Sequence, residues 1–209
     1  MSKKKMKNFL IAFIIILIPI KSFGLIEVDI TRGNLNPLPV AVSPLSIDED
    51  SRKNFENILK KKNIGSEISL IVENNLRVSG LFNPLNKDAF LQEPDIANLK
   101  PRFEDWNLIK AQALITGKVS YVEEKLRVEF RLWDVLAGKE MMALAFTTVP
   151  NNWRRVGHII TDKVYERLTG ERGYFDTRII YVAEEGPKTQ RVKKLAIMDQ
   201  DGANNKFLT

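Results

Sequence analysis

The chain has 209 residues, a formal charge of +6, 44% hydrophobic residues, one histidine and no cysteine. That composition suits a globular protein and excludes a disulfide framework, a lipobox, a cysteine nucleophile and a two-histidine metal centre. The basic balance belongs to the first 24 residues, which hold five lysines and no acid, so taking 5 from +6 leaves +1 for residues 25–209; charge lends no support to a nucleic-acid or anionic-membrane partner.

In chain order, Lys3, Lys4, Lys5 and Lys7 precede an apolar run at residues 9–18, which Pro19 and Lys21 close. Ser22-Phe23-Gly24 then places small residues where a signal peptidase acts, so the segment reads as an export signal cleaved between Gly24 and Leu25. The apolar run is short of the roughly 20 residues that a membrane span needs. Residues 25–209 are therefore expected to be exported and soluble, without stable membrane insertion. Residues 25–30 alternate weakly, and residues 31–39 carry Gly33, Pro37 and Pro39, which together read as a detachable arm and linker.

Residues 40–42 suit a short strand and residues 47–63 a charged helical insert. Asp48, Glu49 and Asp50 lack the spacing and glycine of a calcium loop and fit a helix N-terminus; Lys60, Lys61 and Lys62 fit a solvated face. A helix capped by Ser66 follows, with Ile68, Ile71, Val72, Asn75 and Leu76 on one stripe and Gly80 at its end. Residues 81–85 read as a loop and residues 103–112 as a helix.

Residues 113–123, 125–133 and 140–149 form an antiparallel meander. Within it Val128, Phe130 and Leu132 share one face, and Arg127, Glu129, Arg131 and Trp133 the other. Residues 153–169 form an amphipathic helix through Val156, Ile160, Val164 and Leu168, stopped by Gly170. Strands at 178–183 and 192–198 follow, and Asp199-Gln200-Asp201-Gly202 supplies a hairpin turn rather than a calcium site before a third strand at 205–209. The fold class is α+β, an antiparallel or mixed sheet covered by helices on at least one face, followed by a short β unit. A two-stranded ribbon alone is marginal in water, so the last thirty-odd residues pack on the preceding domain or continue into a longer protein.

No catalytic, cofactor or metal site emerges. His158 lies on the last helix within a turn of Arg154, Arg155 and Asp162, and a structural role suits it better than a triad, for which no serine is marked.

Three stretches, IVENNLRVSGLFNPLN at 71–86, HIITDKVYERLTGERGYFDTRIIY at 158–181 and LAIMDQDGANNKFLT at 195–209, carry a resemblance in the same order to the TolB family of the bacterial Tol-Pal system. The charged insert at 47–64 is less typical of that family. The resemblance implies a signal peptide at 1–24, an arm and linker at 25–39, an α+β domain at 40–173 and, from 174 to 209, the beginning of a six-bladed β-propeller whose other blades lie outside this sequence. It implies a monomeric, non-enzymatic periplasmic scaffold without cofactors, linking inner-membrane TolA to outer-membrane Pal in envelope integrity and cell division.

By the same resemblance the arm, Leu25, Ile26, Glu27, Val28, Asp29, Ile30, Thr31, Arg32, Gly33, Asn34, Leu35 and Asn36, binds the C-terminal domain of TolA, and the propeller binds Pal. The residues suit strand addition: Ile26, Val28 and Ile30 alternate with Glu27 and Asp29, so one row is available for burial while the backbone pairs with a sheet edge. The alternatives are an anchored or periplasmic activator or sensor domain of another envelope protein, and a hydrolase with its site on the absent blades.

Overall fold

The computed structural model describes residues 36–209. The first part is a mixed sheet whose strands run in the order β3-β1-β4-β5-β6, with the short β2 also paired to β4. Its strands are β1 (Leu38–Val42), β2 (Ser46–Ile47), β3 (Phe82–Pro84), β4 (Ala113–Val122), β5 (Lys125–Asp134) and β6 (Lys139–Thr148). The helices are α1 (Glu49–Leu59), α2 (Ile64–Val78), α3 (Pro94–Leu99), α4 (Phe103–Leu108) and α5 (Trp153–Thr169). The meander β4-β5-β6 is antiparallel as expected, whereas β1 pairs in parallel with both β3 and β4.

Burial explains the sequence pattern of each strand. One sheet face carries Val40, Val42, Ile115, Val119, Val128, Phe130 and Leu132, and packs against α1, α2 and α5 through Phe55, Ile68, Val72, Leu76, Val156, Ile160, Val164 and Leu168. On the other face Ala41 and Leu114 pack with Ala97, Trp106, Ala111 and Val135, and α3 and α4 cover β1, β4 and, through Phe103 against Trp133, one end of β5. The first half of β4 is thus apolar on both sides and reads as a continuous run, and β5 alternates because its outer row, Arg127, Glu129 and Arg131, stays partly in water. Helices cover both faces, one of them in part.

Several boundaries differ from expectation. The first strand begins at Leu38, taking Leu38 and Pro39 from the expected linker. Helix α2 starts at Ile64, and its cap is Asn63, whose Oδ1 accepts from the Ser66 amide at 3.2 Å, rather than Ser66. The fully buried Ile64 explains the earlier start. The expected loop at 81–85 contains edge strand β3, where Pro84 is tolerated because the inward bond comes from the next residue, Leu85 N to Val40 O at 2.9 Å. The helix expected at 103–112 stops at Leu108, with Lys110 in the left-handed region at φ 62°. Helix α3 was not expected, although Pro94 in its first turn is a start signal.

The last part is a three-stranded antiparallel sheet, β7 (Arg178–Glu185), β8 (Val192–Asp199) and β9 (Lys206–Phe207), in that order. It is an open sheet, and Ala196 is its one buried residue.

Candidate functional site at the junction of helix and hairpin

Helix α5 faces two ways. Val156, Ile160, Val164 and Leu168 enter the core, as the sequence pattern requires. A second row, Arg154, Arg155, His158 and Asp162, meets the connector to the hairpin sheet and the β8–β9 turn. Helices α2 and α5 approach closely because Gly157 has no side chain; a Cβ there would lie 2.9 Å from Cγ2 of Ile71. That approach brings Asn75 of α2 against His158.

The connector is strapped to α5. Asp162 accepts from the Phe175 amide at 2.7 Å and the Asp176 amide at 3.1 Å. Gly173 passes so close that a Cβ would lie 2.4 Å from the Cα of Asp162. Arg155 donates through Nε and Nη2 to both oxygens of Asp176, at 3.0 and 3.1 Å, a bidentate pair that raises the guanidinium pKa through hydrogen bonding to that carboxylate. Phe175 is buried edge-on to Tyr165, with ring centroids 5.7 Å apart.

Beyond the connector lies a polar cluster. His158 is 3% exposed, and its Nδ1 lies 2.9 Å from Asn75 Nδ2. That amide also donates to Thr161 Oγ1 at 3.2 Å, while Asn75 Oδ1 accepts from Gln200 Nε2 of the turn at 2.8 Å. Since Nδ1 accepts, the proton of the neutral ring sits on Nε2. Nε2 lies 3.6 Å from Asp201 Oδ2 without a hydrogen-bond partner, and Arg154 pairs with the same carboxylate. Burial lowers the His158 pKa below its usual value; Asp201 opposes the shift, Arg154 adds to it, and Asp199 and Asp176 oppose it.

His158, Asp199 and Asp201 bring three potential ligand atoms within 4.8 Å of one another. The arrangement does not suit a cation. Nε2 carries the ring proton, Arg154 holds Asp201, and Arg178 lies 3.7 Å from Asp199. A cleft of about 380 Å³ opens beside the cluster, lined by Asn151, Arg155, His158, Asp176, Arg178 and Asp199 among others. It is a polar seam between two packed parts.

The expected arm falls largely outside this description. Leu25 to Leu35 and the cleavage position Gly24–Leu25 lie outside the described residues, and Asn36 is exposed two residues before β1. Among the other candidates, Asp48 caps α1 by accepting from the Ser51 amide at 2.8 Å, a bond that lowers its pKa. Lys61 is engaged, lying 3.2 Å from Glu67 and over the Trp153 ring. Asp199 to Gly202 form the β8–β9 turn. The tie between Asn75, His158 and Gln200 escaped the sequence reading, although an asparagine in an apolar helical stripe was its signal.

The fold and its seam define a helix-covered α+β domain continued by an open antiparallel sheet, joined through polar side chains. The chain belongs to the TolB family: the TolB amino-terminal domain model matches residues 26–141, including the charged insert. The Tol-Pal system protein TolB of Pelagibacter ubique (strain HTCC1062) is 84% identical over 194 residues, 93% of this chain and 44% of that relative. The crystal structure of TolB from Acinetobacter baumannii superposes with a TM-score of 0.66 at 22% identity, over 88% of this chain and 41% of that one. The fold is thus that of TolB, with β7-β8-β9 as an incomplete first propeller blade, and the chain spans less than half the length of either relative.

Proposed function

We propose that this chain is the amino-terminal part of a component of the Tol-Pal system, an exported, non-enzymatic scaffold working in the periplasm. The observation that carries this reading is the 84% identity to a Tol-Pal system protein over 93% of the chain. On this reading residues 1–24 are removed on export, residues 25–37 are arm and linker, residues 38–173 are the α+β domain, which starts with β1, and residues 174–209 open the propeller. The arm, Leu25 to Asn36, adds as a strand to the C-terminal domain of TolA, and the completed propeller meets Pal. The scaffold then links the two membranes and supports envelope integrity and constriction at division.

Docking a twelve-residue segment by strand addition costs it chain entropy, which keeps the contact reversible. It also leaves β1 by a short tether, since Asn36 precedes Leu38 by two residues. The test is calorimetry of residues 25–209 against the C-terminal domain of the cognate TolA, beside a version lacking residues 25–36. Binding by the first alone supports the arm; equal binding by both, or by neither, removes it from the proposal.

A further inference from the structure

We propose that His158, Asn75 and Gln200 form a proton-operated catch, closed on the β8–β9 turn while the imidazole is neutral and released when it gains a second proton. The device is a chain of three side chains from three elements. His158 on α5 accepts from Asn75 on α2, and Asn75 in turn accepts from Gln200 in the turn. Asn75 is itself 3% exposed, and both of its polar atoms are engaged, so it has no spare orientation.

A second proton must go to Nδ1, because Nε2 already carries one. It would then point at the Asn75 amide nitrogen, donor against donor at 2.9 Å. Relief requires the Asn75 amide to turn over, which withdraws Oδ1 from Gln200 Nε2 and sets NH₂ against NH₂, and the tie returns only if the Gln200 amide turns over as well. The surrounding charges do not restore the tie. Arg154 on α5 already holds Asp201, the carboxylate nearest Nε2. Arg155 holds Asp176 of the connector, and Arg178 lies beside Asp199. Thr161 on α5 donates to Gly157 O and faces the ring through Asn75 alone. The new imidazolium therefore arrives in a buried site whose carboxylates are already shared.

The sign follows from linkage. Burial, with Arg154, holds the closed-state pKa of His158 below the ordinary imidazole value of about 6.5, against the pull of Asp201, Asp199 and Asp176. An opened catch admits water to the ring, whose pKa then moves back toward the ordinary imidazole value of about 6.5. The catch is therefore fully stable above about pH 6.5, and its opening constant rises by up to about tenfold per pH unit as the pH falls from there to the closed-state value.

His158 is the one histidine of the chain, so its imidazole resonances are unambiguous. The experiment is a titration of the purified chain from pH 7.5 to pH 5 by nuclear magnetic resonance, reading the ring nitrogens, the Asn75 and Gln200 side-chain amides, and hydrogen exchange at residues 199–203 corrected for intrinsic rate. The expected result is an Nε2–H ring at neutral pH that titrates below 6.5, with both amides shifting and turn exchange rising up to about tenfold per pH unit in the same window. His158→Gln should abolish the pH dependence, and Gln200→Ala should raise turn exchange about fivefold at neutral pH and remove its dependence on pH. An Nδ1–H tautomer, titration without movement of the turn, turn exchange that stays flat between pH 7.5 and pH 5, or a pH response that survives in His158→Gln would each overturn the proposal.

Discussion

The α+β domain and the hairpin sheet are held by different forces. The domain buries a continuous apolar layer between its sheet and α1, α2 and α5, with Phe55, Ile64, Ile68, Leu76, Val128, Leu132 and Val164 fully enclosed. The hairpin sheet encloses Ala196 and leaves Ile180 and Val182 of β7 63% and 58% exposed. Beyond the connector's buried Phe175, it is held to the domain by Asp162, Arg154, Arg155 and the Asn75–Gln200 bond. Burial scales with area and locks a domain as a unit, whereas each hydrogen bond contributes only about 1 kcal/mol net and depends on geometry and charge state. The junction can therefore open while the domain stays folded.

The largest expected effect tests the first half of that contrast. Phe130→Ala, at a fully enclosed ring stacked on Phe146, should cost about 3–5 kcal/mol in denaturant unfolding of the domain. A loss below about 1 kcal/mol would mean that the sheet core is not the source of stability. Next comes the strap. Asp162→Ala strands the Phe175 and Asp176 amides and should cost about 1–3 kcal/mol, seen as faster proteolysis of the connector at unchanged β4–β5 protection. If β4–β5 loosened equally, the two parts would be one cooperative unit.

Smaller effects sharpen the contrast. Gln200→Ala removes one bond across the seam and should weaken the turn by about 1 kcal/mol without moving the domain's unfolding midpoint. The smallest change lies within the domain, where Glu123 and Glu124 join β4 to β5 with φ of 48° and 59°. A left-handed conformation costs a non-glycine residue about 1–2 kcal/mol, and glycine returns part of that as chain entropy, so Glu124→Gly should gain about 0.5 kcal/mol in thermal unfolding. A loss would show that the glutamate side chain contributes more than its backbone costs.

Legibility in the sequence follows the same division. The β5 alternation of Val128, Phe130 and Leu132 with Arg127, Glu129 and Arg131, and the α5 stripe, were readable because local periodicity mirrors burial on one face. Strand β3 was hidden by Pro84, whose place on an edge is a property of the assembled sheet. Asn63 outcompeted Ser66 as a cap because the core claims Ile64, which no local signal states. At the junction, Asn75 and His158 are 83 residues apart and Asn75 and Gln200 are 125 apart. Their pairing depends on the closeness of α2 and α5 at Gly157, so the sequence offered only a lone histidine and an asparagine among aliphatics. The proposed arm at 25–36 stands apart, resting on the alternation of residues 26–30 and on what the family resemblance implies.

The most direct test of the two-region account is native-state hydrogen exchange along the whole chain at one pH above 6.5. The β4 and β5 amides are expected to exchange only through global unfolding, while amides of β7, β8 and the β8–β9 turn exchange through a distinct, lower-energy opening. A single opening free energy shared by both sheets would contradict it.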